Sequence, residues 1–238
     1  MKNIFNKPNW EPMVSDNKKI LITGATGGIG RTLVRTLLEG SNCIVGAHGN
    51  ENRVNWGDDR VIPIYKDFDG EKSCLDVITE FCRKAGGLDA IVILSGSIRY
   101  SGHWKDIPEE SWNREIRDNL YVPFFLARTS MVEMIKTHTG GKIILTGTES
   151  SLHGGSAVSL PYAIAKRGTE CLVQGLAREG APYNILVNGV RMGYIESGFH
   201  KRWYDRTKED MDKRANLVPL KRGGRPEEVA AMIAYMLS

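Results

Sequence analysis

The sequence predicts a single α/β domain over 18–238, a doubly wound parallel sheet with helices on both faces. From Lys18 onward, short apolar runs alternate with longer amphipathic segments; the runs are rich in β-branched residues, and a glycine-rich turn separates the first run from the first helical segment. Such alternation is the pattern of successive βαβ units, and runs that are apolar throughout suit strands buried on both faces. The composition agrees: 41% hydrophobic and 25% charged residues in 238 is the balance of one ordinary globular domain.

The first strand is expected at 18–23 (KKILIT), running into the turn TGATGGIG at 23–30 and a helix over 28–39. Strands follow at 42–47 and 61–65, a helix at 71–85, and a fourth strand at 89–94. A long helical stretch over 109–138 opens on PEESW, with proline at an early position and acids in the first turn. Pro123 should interrupt or kink it, because proline has no N–H to give and its ring crowds the preceding turn. A strand at 141–147, a helix at 161–179 and a strand at 183–189 complete the alternation, and a last helix begins in RPEEVAAMIAYML, where the given sequence stops. The segment 1–17 reads as an N-terminal extension whose Phe5, Trp10 and two prolines suit packing on the body or on a neighbouring subunit.

Charge and composition exclude several classes. The net charge is +4, but Lys and Arg are interleaved with Asp and Glu, and without a polybasic tract nucleic-acid binding is not expected. Cys43, Cys74, Cys82 and Cys171 show no CxxC spacing, which points to a reducing cytoplasm. No uncharged apolar run reaches the roughly 18 residues of a membrane span. The five histidines show no ligand spacing, so no metal is expected.

The glycine turn carries the first functional signal. Gly24 and Gly28 permit a tight or left-handed backbone, and Gly30 lets helix and strand approach closely. With Thr26, Gly27 and Ile29 they would present backbone N–H groups at a helix start to a pyrophosphate, so a dinucleotide is expected. An acid at the tip of the second strand would bond a free ribose 2′-hydroxyl. Here that tip reads VGAHGNENRV, and Glu51 comes late. His48, Asn50 and Arg53, with Arg31 nearby, instead offer donors or positive charge to a 2′-phosphate, and NADP(H) is expected over NAD(H).

Tyr162 and Lys166 in YAIAK stand four apart, on one face of the expected helix. Tyr204 and Lys208 repeat the spacing, so the pair alone proves nothing. In combination, TGATGGIG, DNLYVPF around Asn119, YAIAK, VNGVRMGYIES at 187–197 and PLKRGGRPEEVA at 219–230 resemble the short-chain dehydrogenase/reductases, nearest to those acting on 3-oxoacyl thioesters and to relatives acting on sugars, polyols and small ketones. The resemblance implies a Rossmann-type fold that interconverts a carbonyl and a secondary alcohol by hydride transfer. Tyr162 would be the general acid/base, Lys166 would favour its phenolate and bond the nicotinamide ribose, and Asn119 would hold a water linking Lys166 to solvent. Thr148 would supply the third catalytic hydroxyl, ahead of Ser150. Asp67, Phe68, Ser95, Gly96, Gly193 and Ile195 would join the cofactor site.

The same resemblance implies a homotetramer or homodimer formed through the fourth and fifth helices, and a substrate lid over about 194–217 in which Phe199, Trp203 and Tyr204 could pack on an apolar or ring-shaped substrate. Lys201, Arg202, Arg206 and Lys208 would suit an acidic carrier or a carboxylated substrate, although a solvated amphipathic helix explains them as well. Three departures stand out. Glu149 occupies the position thirteen before Tyr162, ILSG at 93–96 lacks the amides that brace the sheet in relatives, and Met192 stands where a proline is usual. The family's last strand, after the final helix, has no counterpart in the given sequence. A catalytically quiet dinucleotide-binding or scaffold member is the alternative that these departures leave open.

Overall fold

Residues 14–50, 53–199 and 207–238 are described in the structure, a computed structural model. Phe5, Trp10, Glu51 and the lid residues 200–206, with Lys201, Arg202, Trp203, Tyr204 and Arg206, lie outside the described residues. Six parallel strands, β1 (Lys19–Thr23), β2 (Ile44–Gly49), β3 (Val61–Tyr65), β4 (Ala90–Ile93), β5 (Gly141–Thr148) and β6 (Ile185–Met192), form one sheet in the order β3-β2-β1-β4-β5-β6. The chain winds outward from β1 to β3, then returns to β4 and winds the other way. Helix crossovers therefore diverge between β1 and β4, and the crevice at the carboxyl ends of these two strands is where such sheets take ligands.

The strands are buried on both faces because their side chains alternate between two cores. Leu21 of β1 joins Phe81, Ile91, Leu126 and Leu145 on the face covered by α2 (Glu71–Ala85), α4 (Val122–Thr137) and α5 (Leu160–Gly180). Its neighbours Ile20 and Ile22 join Leu33, Leu37, Ile144 and Ile233 on the face covered by α1 (Gly28–Gly40) and α7 (Pro226–Leu237). Phe81 and Leu33 are fully buried, and each such side chain contributes about 1.5–3 kcal/mol relative to exposure. Among the described residues the chain also forms α3 (Glu109–Ile116) and α6 (Lys208–Leu217).

The stretch expected as one kinked helix over 109–138 is three pieces. Between α3 and α4 runs one π-helical turn, Arg117–Tyr121, with Pro123 just inside α4. Pro123 cannot donate to the Asn119 carbonyl four residues earlier, and the Thr169 hydroxyl of α5 donates to that carbonyl instead at 3.2 Å. The last strand begins at Ile185, not at 183, because Ala181–Tyr183 form a 3-10 turn that ends on Asn184 in the left-handed region (φ 57°).

Candidate active site

The first half of the site is built where β1 turns into α1. The chain turns at Gly24 (φ 70°), and α1 begins with neither a side-chain cap at Gly27 nor an acid in its first turn. Its early N–H groups are therefore available to an anion. A Cβ at Gly30 would stand 2.4 Å from the Gly24 oxygen, and one at Gly28 would stand 2.4 Å from the Ser197 oxygen. These two glycines are required by close backbone approach, and Thr26, Gly27 and Ile29 complete the same turn. The features fit a pyrophosphate seat.

At the tip of β2, Asn50 is exposed but His48 is only 3% exposed. Its Nε2 pairs with the Lys66 carbonyl at 2.8 Å, and its ring stacks on Phe68 with centroids 4.4 Å apart. Burial pushes its pKa down to about 4, so the ring is neutral, and Nδ1 has no hydrogen-bond partner. This corrects the expectation that His48 brings positive charge to a 2′-phosphate: the imidazole is turned inward as part of the wall carried by Phe68. Cationic character at this end comes from Arg31, whose Nε donates to the Thr26 carbonyl at 2.9 Å, and Arg53, which lies 5.5 Å from the Tyr65 ring centroid. Asp67 is exposed just beyond β3.

The second half lies at the carboxyl ends of β4 and β5. Lys166, on α5, is 4% exposed, and its Nζ donates to the Thr146 carbonyl at 3.0 Å; burial lowers its pKa to about 8. Nζ stands 6.0 Å from the Tyr162 ring centroid, one turn earlier. Burial raises the Tyr162 pKa to about 12, with the nearby Thr148 side chain lowering it in part and the Glu115 carboxylate adding to the rise. Desolvation thus sets the direction of the phenol's shift in the protein alone. Thr148, the hydroxyl that acts on the phenol, accepts at its Oγ1 from the Ser150 N–H at 3.3 Å. Ser151 anchors this turn, donating to the Thr148 carbonyl at 2.7 Å and to Glu170 Oε1 at 2.5 Å. Glu149 Oε1 instead lies against His153 Nε2 at 3.2 Å. Phe199 stands over Tyr162 at a centroid distance of 6.2 Å.

The bracing amides missing from ILSG are replaced by hydroxyls. Ser95 Oγ bonds Thr23 Oγ1 at 2.9 Å across β4 and β1, and Thr146 Oγ1 donates to the Ile93 carbonyl at 2.9 Å. Gly96 (φ 147°) follows, and a Cβ there would meet Asn119 Oδ1 at 2.8 Å and Lys166 Nζ at 3.4 Å. Asn119, fully buried in the π turn, holds Ser97 at both ends: Nδ2 donates to its carbonyl at 2.6 Å and Oδ1 accepts its N–H at 3.1 Å. Gly193 is exposed, and Ile195 bridges Gly224. The sequence reading missed Glu115, Thr23, Thr146 and Thr169. Glu115 had a signal, a charge four residues before Asn119 and so on the same inward face.

Residues 18–208 match the family described as short chain dehydrogenase. An NAD-dependent glycerol dehydrogenase of Listeria innocua is 29% identical over 93% of this chain and 87% of its own length. The 3-oxoacyl-[acyl-carrier-protein] reductase FabG of Salmonella typhimurium is 29% identical over 95% of this chain and 92% of its own. Among solved structures, ElxO with NADP bound superposes with a TM-score of 0.82 at 22% identity, covering 93% of this chain and 92% of that one.

Proposed function

The chain belongs to the short chain dehydrogenase family of nicotinamide-dependent oxidoreductases, and from that premise we propose that it interconverts a carbonyl and a secondary alcohol using NADP(H), with Tyr162 as general acid/base. The observation that carries this reading is the convergence of the Tyr162 phenol, the Thr148 hydroxyl and the buried Lys166 ammonium beside Gly96. When bound, the dinucleotide supplies or accepts the hydride.

The protein's own residues handle the oxygen and the proton. Tyr162, protonated at neutral pH, gives its proton to a carbonyl oxygen, and in the reverse direction takes it back. Thr148 bonds the same oxygen as negative charge develops on it. Lys166, with a pKa near 8, carries its charge at neutral pH and favours electron density on the phenolic oxygen once the proton leaves. The turn from Gly24 to Gly30 would hold the pyrophosphate, Ser95 and Gly96 would flank the nicotinamide half, and Phe68 would wall the adenine. Asn50, Arg31 and Arg53 would read a 2′-phosphate. The NADP named for ElxO supports that choice, and the NAD named for the Listeria relative is its competitor.

The FabG relative and the glycerol dehydrogenase bracket the substrate between a carrier-linked 3-oxoacyl group and a small polyol. We read the protein as working in a reducing cytoplasm, since its four cysteines are free, and as a homodimer or homotetramer. The test is NADPH and NADH consumption across 3-oxoacyl thioesters, sugars and small ketones, with Tyr162→Phe alongside. Turnover lost in the variant supports the reading; equal turnover in both proteins overturns the role of Tyr162.

A further inference from the structure

Glu115 is the one wholly buried residue of α3, at 1% exposure. A carboxylate so placed is stable only where donors surround it. Its Oε1 accepts two consecutive backbone N–H groups, from Arg99 at 2.5 Å and Tyr100 at 2.8 Å, and its Oε2 accepts from Asn119 Nδ2 at 3.3 Å. Asp118, on the next turn, pairs with the Arg99 side chain at 2.9 Å and with Arg117 at 3.1 Å. The segment 97–100, which leaves β4 past Gly96, is thus tied down at Ser97, Arg99 and Tyr100 by residues of α3 and the π turn.

The donors and acceptors fix which way the Asn119 amide points. Nδ2 faces three acceptors, the Ser97 carbonyl, the Glu115 carbonyl at 3.0 Å and Glu115 Oε2, while Oδ1 accepts from the Ser97 N–H. That leaves Oδ1 sharing with Lys166 Nζ the space beside Gly96. Resting on the catalytic reading above, we infer that Glu115 is a positioning residue of the active site, whose carboxylate pins segment 97–100 against α3 and so keeps Ser97 on the Asn119 amide and Gly96 beside Lys166. The titratable groups facing Glu115 are Arg99, Asp118 and the Tyr162 phenol, and burial raises its own pKa against the two backbone N–H bonds that lower it.

Glu115→Gln and Glu115→Ala separate the hydrogen bonds from the charge. A glutamine keeps its oxygen on the two backbone N–H groups, since turning it round would set its NH2 against both, and the Asn119 amide stays fixed by Ser97 and by the carbonyl of residue 115. Glu115→Ala removes the same charge and also the acceptor of both N–H groups, so segment 97–100 loosens beside Gly96 and water reaches Lys166, which raises its pKa toward the solvated value. The readout is the Lys166 titration, followed by carbon-13 NMR of protein labelled at lysine Cε, with the resonance assigned by its loss in Lys166→Met. The expected result is a Lys166 pKa lower in Glu115→Gln than in Glu115→Ala by about one unit, with both variants folded by circular dichroism. Equal titration in the two folded variants would overturn the proposal. Carbonyl turnover is measured on the same samples: wild-type activity insensitive to Tyr162→Phe would sink the catalytic reading, whereas the titration decides the role of Glu115 by itself.

Discussion

Burying Lys166 costs the folded state, and the cost has a pH signature. Its pKa falls from 10.5 to about 8 on folding, so between these values the unfolded chain holds a proton that the folded chain lacks, and stability rises with pH across that window. Below pH 8 both states are protonated and the penalty is fully present, on the order of 3 kcal/mol. Lys166→Met should therefore stabilise the protein at pH 7 and show less gain toward pH 9.5 than wild type. Urea unfolding of the two proteins at both pH values checks this; their difference cancels the cysteines, which titrate in the same range. Tyr162 has the opposite bias: with its pKa raised to about 12, the phenol stays protonated and the phenolate that alcohol oxidation needs is scarce. Carbonyl reduction should stay level from pH 6 to 7, where Lys166 keeps its charge, while alcohol oxidation climbs with pH, and initial rates in both directions measure it. Tyr162, Lys166 and Asn119 were legible in the sequence as candidates because each sits inside a motif with fixed spacing, whereas for Thr148 the usual interval falls one residue away, on Glu149. The direction in which the phenol shifts was not legible, since it depends on burial by chain segments distant in sequence. His48 was misread for the same reason: as a residue at a strand tip it offers a charge, but packed on Phe68 it offers only a neutral ring.

At the scale of elements, apolar runs and glycine turns located the strands to within two residues or so, because β-branched residues buried on both faces leave a continuous signal. The π turn left none. Only Pro123 marked the place, and the rescue of the Asn119 carbonyl comes from Thr169, 50 residues away on α5. Thr169 is 2% exposed, so replacing it with valine keeps the shape and removes the donor. Thr169→Val should lower stability by about 1–3 kcal/mol, the cost of a buried polar group left unpaired, and should also loosen the π turn that carries Asn119. Chemical denaturation gives the first effect; hydrogen exchange over 115–124 gives the second. The turn between β1 and α1 makes a harder demand. A Cβ at Gly30 would meet the Gly24 oxygen and the Ala25 Cα at 2.4 and 2.6 Å, all backbone that cannot rotate aside. Gly30→Ala should accordingly cost about 1–3 kcal/mol as strain, visible as a lower urea midpoint, and should weaken dinucleotide binding measured by fluorescence.

Over the whole molecule, the doubly wound order divides the labour. The strands β1 to β3 present the glycine turn and the stacked rings of His48 and Phe68, and the strands β4 to β6 lead to Gly96, Thr148 and the Ile195–Gly224 bridge. The two halves touch where Gly24 meets the backbone of Leu94 and Ser95, at 2.9 Å from the place its Cβ would take. A ligand spanning that line binds the folded chain alone, so it must stabilise the fold by mass action, by about 2.7 kcal/mol at a hundred times its Kd. The absence of an acid at the β2 tip and the presence of Arg31 and Arg53 set the sign of the comparison between cofactors. At equal concentration NADPH should raise the melting temperature more than NADH, and Arg31→Ala combined with Arg53→Ala should bring the two shifts together by reducing the NADPH response. A larger shift with NADH in the wild-type protein would reverse the cofactor assignment and align this chain with its NAD-dependent relative, while leaving the glycine turn, Tyr162 and Lys166 in the same roles.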